Sequence, residues 1–200
     1  RTRLTIDRLA IADREGEWLV VRRVDVRWQA EAVLRRAVEV SEVTAASVDV
    51  LRRPTLAPQE TRGGDLPVSV SIARFSAPLR IANAASTVGD LRYLADGALT
   101  LERDNGSTGK VALVSLAPQR EALNANWVLK GNSTVDLDLR LTAEGGGLVG
   151  ELLEASPDRP VLLTVKADGT PDSGMANAKL SIAQADAFVG DADWRDGAAG

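Results

Sequence analysis

Apolar and polar residues alternate one for one along much of this chain, and no other feature restricts its fold so tightly. Between Glu17 and Trp28 the even positions read Trp18, Val20, Arg22, Val24, Val26 and Trp28, with Arg23, Asp25 and Arg27 between them. Val135, Leu137, Leu139 and Leu141 alternate with Asp136, Asp138, Arg140 and Thr142, and Val68, Val70 and Ile72 with Ser69, Ser71 and Ala73. Shorter stretches repeat the pattern at Val48 and Val50, Leu99 and Leu101, Val111 and Leu113, Leu163 and Val165, and Leu180 and Ile182. Successive side chains of a strand point to opposite faces, so this period predicts strands with one apolar and one wet face. Turn-forming residues punctuate them at Asp13-Arg14-Glu15-Gly16, Asp96-Gly97, Asp104-Asn105-Gly106, Lys130-Gly131-Asn132 and Asp168-Gly169. Short connections between such strands predict a meander. The expected fold class is mainly β, a long antiparallel sheet.

Three kinds of segment interrupt the alternation. Pro54–Asp65 is rich in Pro and Gly and has no period, which marks a linker or long loop between strands in 1–53 and a continuation over 66–200. Ala30–Val38 sets Ala30, Val33, Leu34, Ala37 and Val38 on one helical face, and Leu148–Ala155 groups Leu148, Val149, Leu152 and Leu153 before Pro157. Gln119–Ala125 is a third short helical candidate. Two or three short helices are therefore expected beside the sheet.

Composition removes most catalytic chemistry. The chain has no cysteine and no histidine, so disulfides, thiol nucleophiles, histidine bases and Cys/His metal sites are excluded. No Ser-x-x-Lys or Gly-x-Ser-x-Gly occurs, and no catalytic residue, cofactor or metal is expected; the chain does not read as an enzyme. Gly145, Gly147 and Gly150 fit the letters of a dinucleotide fingerprint, but the preceding strand carries Asp136 and Asp138, whereas a strand of that fold is apolar on both faces. Those aspartates read as a solvated face. Net charge is −4, with no cluster of cations among aromatics, so nucleic acid is not an expected partner. No apolar run approaches the ~20 residues of a membrane helix. The chain begins at Arg1 and ends in Ala-Ala-Gly, which reads as a segment of something longer.

Aromatic residues make up only 4% of the chain, few for a sandwich of this length. The apolar faces are lined by Val, Leu, Ile and Ala, which suits either a modest packed core or a smooth surface for something other than protein. Trp18 and Trp28 fit both readings, as core ends or as anchors at the rim of a groove.

One stretch is more specific. Glu17-Trp18-Leu19-Val20-Val21, Val24-Asp25-Val26-Arg27-Trp28, Ala32-Val33-Leu34-Arg35-Arg36, Val38-Glu39-Val40 and Val48-Asp49-Val50-Leu51-Arg52-Arg53-Pro54 follow in order. Leu66-Pro67-Val68-Ser69-Val70, the run Gly145–Leu153, the strand Pro160–Val165 and Asp168-Gly169-Thr170-Pro171-Asp172 continue the series. This ordered set resembles the TamB family, AsmA-like subunits of the translocation and assembly module of Gram-negative envelopes. The chain departs from the family at Gln29-Ala30, where Ser-Pro is usual, and at Thr170, which interrupts a Gly-Pro pair.

The resemblance implies a β-taco, a curved sheet whose apolar inner face shields phospholipid between the inner and outer membranes, in the manner of bridge-like lipid transfer proteins. It implies a periplasmic segment of an inner-membrane-anchored protein that supports outer membrane biogenesis. An Omp85-type, TamA-like partner would be engaged through parts of the parent outside this chain. Under that reading the lipid-groove lining comprises Trp18, Val20, Val24, Val26, Trp28, Val48, Val50, Val68, Val70, Ile72, Leu99, Leu101, Val111, Leu113, Val135, Leu137, Leu139, Leu141, Leu163, Val165, Leu180 and Ile182. The alternatives are a β-rich scaffold for outer-membrane or autotransporter β-proteins and a closed β-sandwich that binds a ligand.

Overall fold

The computed structural model describes residues 2–55, 67–86, 89–104, 106–116, 120–131, 133–144, 149 and 159–195. About three quarters of the described residues lie in strands. In chain order these are β1 (Thr2–Asp13), β2 (Gly16–Gln29), β3 (Ala37–Val50), β4 (Ser69–Ile81), β5 (Leu91–Leu101) and β6 (Ser107–Ser115), then β7 (Glu121–Lys130), β8 (Thr134–Ala143), β9 (Val161–Gly169), β10 (Ser173–Ile182) and β11 (Ala185–Arg195). All eleven join one open sheet in sequence order, as a meander does. Neighbours are antiparallel except β3 and β4, which are parallel. The chain therefore travels back along the sheet between Val50 and Ser69, and the expected linker 54–65 falls in this return, with 56–65 outside the described residues.

The meander has two ends. Trp28, the start of β3 and the β5–β6, β7–β8 and β9–β10 connections share the first end. The β1–β2 and β10–β11 turns and the start of β5 share the second. All substantial contacts among the described elements join strands adjacent in the sheet, apart from β3 with a short 3-10 helix, Ala30–Arg35. The described residues thus form one layer, and they do not form a closed sandwich.

Three expectations are corrected. The 30–38 segment is a 3-10 helix that ends at Arg36, whose left-handed φ of 56° turns the chain into β3 at Ala37. Glu121–Ala125 of the third helical candidate lies in β7, where Glu121, Leu123, Ala125 and Trp127 share one face; residues 119 and below to 117 are not described. Asp96-Gly97 is not a turn but the middle of β5. The other helical candidate, 148–155, lies outside the described residues apart from Val149.

Alternation also changes phase inside the long first strands. Arg23 sits at a left-handed φ of 47°. The pairings run Ile6 to Val24 to Ala45 on one side of it and Arg8 to Arg22 to Ser47 on the other, leaving Asp7, Arg23 and Ala46 out of the ladder. Directly paired residues share a face. Val24, Val26 and Trp28 thus lie with Ala45, Val43 and Val40, whereas beyond the kink Val21 and Leu19 lie with Val48 and Val50. Val20 instead pairs with Ala10 and Asp49, on the face that carries Arg80. Trp18 falls in the bulge between the Leu19 and Glu17 pairings and has no register partner.

Charged side chains populate the wet face. Arg27 pairs with Glu42 at 2.7 Å, Arg22 with Asp49 at 2.6 Å and Lys179 with Asp186 at 3.0 Å. Arg52 pairs with Asp13 and donates to the Gly16 carbonyl at 2.7 Å, tying the β1–β2 turn to the exit of β3. The Arg52 guanidinium holds the Asp13 carboxyl well below the usual carboxylate range; Arg8 lowers the pKa of Glu17, Thr5 and Arg3 that of Asp25, Arg80 that of Asp90, and Lys179 that of Asp186. A carboxyl whose folded pKa is depressed stabilises the fold above its unfolded pKa of about 4 and loses that contribution as pH falls. Denaturant midpoints are therefore expected to be nearly level from about pH 6 to 8, since the chain lacks histidine, and to drop progressively below about pH 4.

The β10–β11 hairpin turns on Ala183 and Gln184, both at left-handed φ (53° and 66°). Two-residue loops of this type favour Asn-Gly, because a Cβ is strained there. Ala183→Asn with Gln184→Gly is expected to raise stability by about 1 kcal/mol in denaturant titrations.

An uncovered apolar face as the candidate site

From β4 to β11 the register sorts the apolar face into rows that cross the strands. Nearest the first end, Val70, Leu101, Ser107, Leu129, Val135, Gly169, Gly174 and Trp194 form a row. The next holds Ile72, Leu99, Gly109, Trp127, Leu137 and Ala167, then Ala176 and Ala192. A middle row of mostly small residues follows: Phe75, Gly97, Val111, Ala125, Leu139, Val165, Ala178 and Gly190. Beyond it Leu113, Leu123, Leu141, Leu163, Leu180 and Phe188 form a row of large side chains.

The large rings of this face lie over glycines. Phe75 pairs with Gly97, Trp127 with Gly109 and Trp194 with Gly174, while Phe188 covers Gly190 two residues along its own strand. A Cβ added at Gly97, Gly109, Gly174 or Gly190 would fall 2.2–2.5 Å from a ring carbon. Each ring therefore rests on bare backbone instead of standing away from the sheet. Two indoles are also pinned by their N–H groups: Trp127 donates to Ser107 Oγ at 3.2 Å and Trp194 to the Thr170 carbonyl at 2.9 Å.

Among the described residues of β4–β11, the buried apolar side chains gather at the second end. Leu91 and Val161 are 2% exposed, and Ala143, Val149 and Val161 pack with Leu141, Leu180 and Ile182. Buried Glu121 accepts the Val149 N–H at 3.0 Å and the Tyr93 hydroxyl proton. Beside them Leu79, Ile81, Tyr93, Leu113, Leu123 and Leu141 enclose a hollow of ≈ 100 Å³. Toward the first end the rows stay half-buried, and Leu129 is 40% exposed.

The register brings together most of the expected lining: Val24, Val26, Trp28, Val48, Val50, Val70, Ile72, Leu99, Leu101, Val111, Leu113, Val135, Leu137, Leu139, Leu141, Leu163, Val165, Leu180 and Ile182. Val68 precedes β4 and lies outside the ladder. Val20 faces the other way, as shown above, and is buried there beside Asp49, which accepts hydrogen bonds from Arg22 and Ser47. Sequence reasoning missed Leu4, Ile6, Leu9 and Ile11 of β1, which pair with Val26, Val24, Val21 and Leu19 and were marked by their own alternation. It also missed the glycines, whose role depends on a ring from another strand.

A larger hollow, ≈ 780 Å³, opens near the second end among Arg120, Arg140, Thr142, Glu144, Lys179 and Asp186. Two of its cations are already paired, Arg120 with Glu144 and Lys179 with Asp186. Asp136 and Asp138 are exposed on the wet face, where Asp138 meets Lys166 at 3.5 Å. No group of three potential metal ligands occurs among the described residues. The dinucleotide-like glycines 145, 147 and 150 lie outside the described residues.

No family model, curated protein or solved structure matches this chain.

Filling one glycine tests the packed rings. Gly109→Val is expected to lift Trp127 off the sheet, lowering stability by about 1–3 kcal/mol and shifting tryptophan emission. Glu121→Ala removes the buried acceptor of the Tyr93 hydroxyl and the Val149 N–H, with an expected cost of about 1–3 kcal/mol in denaturant titrations.

Proposed function

We propose that this chain is a non-enzymatic segment of a lipid-conducting groove, in which the apolar face shields phospholipid acyl chains from water. The observation that carries the reading is a broad apolar face with no second layer among the described residues, floored by small side chains and by rings laid over glycines. A sealed core has no use for such clearance.

Magnitudes fit. Ten spacings of ~4.8 Å between eleven strands span roughly 48 Å along the sheet. Burying a methylene contributes ~0.8 kcal/mol, so a two-chain lipid left in water would forfeit more than about 20 kcal/mol. A lining of Val, Leu and Ala offsets that cost with few directional contacts, which lets the lipid slide. The resemblance to the TamB family supports the wider proposal. The segment sits in the periplasm as part of an inner-membrane-anchored protein, passes phospholipid toward the outer membrane, and reaches an Omp85-type partner through other parts of the parent.

Two variants separate groove from core. Leu139→Asp, in the half-buried middle row, is expected to abolish co-purified phospholipid while circular dichroism stays unchanged. Leu91→Asp, at a site 2% exposed, is expected to unfold the chain, because an unpaired buried charge is costly. Mass spectrometry of solvent extracts reads the lipid. Lipid-free wild-type protein that binds client β-peptides would favour the scaffold instead.

A further inference from the structure

The two edges of the sheet are complementary to one another. β1 runs from the first end to the second and β11 from the second to the first, because one parallel pair sits among the eleven strands. With apolar faces on the same side, β1 of one copy is therefore antiparallel to β11 of another. The two strands have 12 and 11 residues and are mostly exposed.

Rows that cross the whole sheet fix the register. One joins Thr2 through the intervening strands to Ala192, and the next joins Leu4 to Gly190. Continued from copy to copy, they set Thr2 beside Ala192, Arg3 beside Asp191, Leu4 beside Gly190, Thr5 beside Val189 and Ile6 beside Phe188. Irregularities then meet, since Asp7 is out of the β1–β2 ladder and Ala187 out of the β10–β11 ladder. Past them Arg8 falls beside Asp186 and Leu9 beside Ala185. Faces match throughout, and the wet face gains two pairs of opposite charge. Backbone groups match as well. Ser173 exchanges two bonds with Thr170, so by alternation Val189, Asp191 and Asp193 turn their N–H and C=O to the open side of β11. The Leu51 N–H donates to the Trp18 carbonyl, so Arg8 and its wet-face companions Thr5 and Arg3 do so on β1.

Within one copy Arg3 already holds Asp25 through Nε and Nη2, leaving Nη1 unbonded among the described residues, and Arg8 holds Glu17. Asp191 accepts from Asn177 through Oδ1, and Asp186 meets Lys179 and Ser181. Asp193 falls opposite residue 1, outside the described residues. Pairings of like edges fit worse. β11 against itself about Ala192 sets Asp191 against Asp193, and β1 against itself, kink to kink, sets Ile6 against Arg8.

We propose that β1 of one copy pairs with β11 of a second copy in this register, so that copies join end to end as one sheet with a continuous apolar face. Such a head-to-tail contact leaves a free β1 and a free β11 on every dimer, so it propagates. It holds whatever the apolar face carries.

Cross-linking of the 200-residue chain tests the register, since it has no cysteine of its own. With an added oxidant, Thr5→Cys chains mixed with Val189→Cys chains are expected to form a disulfide dimer severalfold faster than either variant alone. Equal rates for one variant alone overturn the proposal, as does an intrachain disulfide in the double variant, which would mean that the sheet closes on itself. Charge reversal tests the pairing in sedimentation velocity. Arg3→Asp with Arg8→Asp, and separately Asp186→Arg with Asp191→Arg, are each expected to stay monomeric at concentrations where the wild type forms oligomers. Mixing the two variants is expected to restore oligomers, because every junction again joins opposite charges. A wild-type chain that sediments as a monomer at all concentrations, with or without bound lipid, overturns the proposal, as does a mixture of folded variants that stays monomeric.

Discussion

The backbone ladder between adjacent strands is the interaction on which everything else in this molecule depends. A domain of this size ordinarily holds itself together by closing two layers over a shared apolar core. Among the described residues the large side chains that are fully buried are Leu91 and Val20, and no second layer of strands stands opposite the sheet. Each inner strand is held by the neighbour on either side, and register decides which residues share a face. Register is well specified because a slip of one residue would turn the apolar rows of β5–β11 toward the charged side.

Aromatic scarcity takes on a structural sense in this setting. A ring on a sheet face normally projects into the space above it, where it fills a core. At Phe75, Trp127, Trp194 and Phe188 the missing Cβ of a neighbouring glycine lets the ring settle against backbone. Part of each ring is thereby buried against backbone, although Phe188 on the edge strand stays largely exposed. Glycine weakens a strand through entropy, and contact with the ring offsets part of that loss.

Much of this was legible in the sequence. The β8 stretch Val135–Leu141 and the pairs Leu99/Leu101 and Val111/Leu113 alternate without interruption, and they lie on one face together. Trp18-Leu19-Val20-Val21 offers four apolar residues in a row, so period alone gives no phase; the left-handed Arg23 chooses it, and that choice removed Val20 from the face. Asp96-Gly97 has the letters of a turn, yet Gly97 is there to seat Phe75, a contact between strands that no local rule detects. The same limit hid β7, whose first residues Glu121 and Ala122 suit a helix until Leu123 and Trp127 find partners on β6 and β8. The parallel β3–β4 pair was illegible for a related reason, since alternation carries no information on strand direction.

That parallel pair has a mechanical consequence. Hairpin connections tie most other neighbours at short range, so each zips from its turn, whereas β3 and β4 meet only after the chain has travelled back along the sheet between Val50 and Ser69. Closing the longer loop costs more entropy, and parallel bonds are slightly weaker per residue than antiparallel ones. The connection between β8 and β9, from Ala143 to Val161, is nearly as long. The sheet therefore consists of three panels built on shorter connections, β1–β3, β4–β8 and β9–β11, and the two junctions between them wait for the longer loops to close.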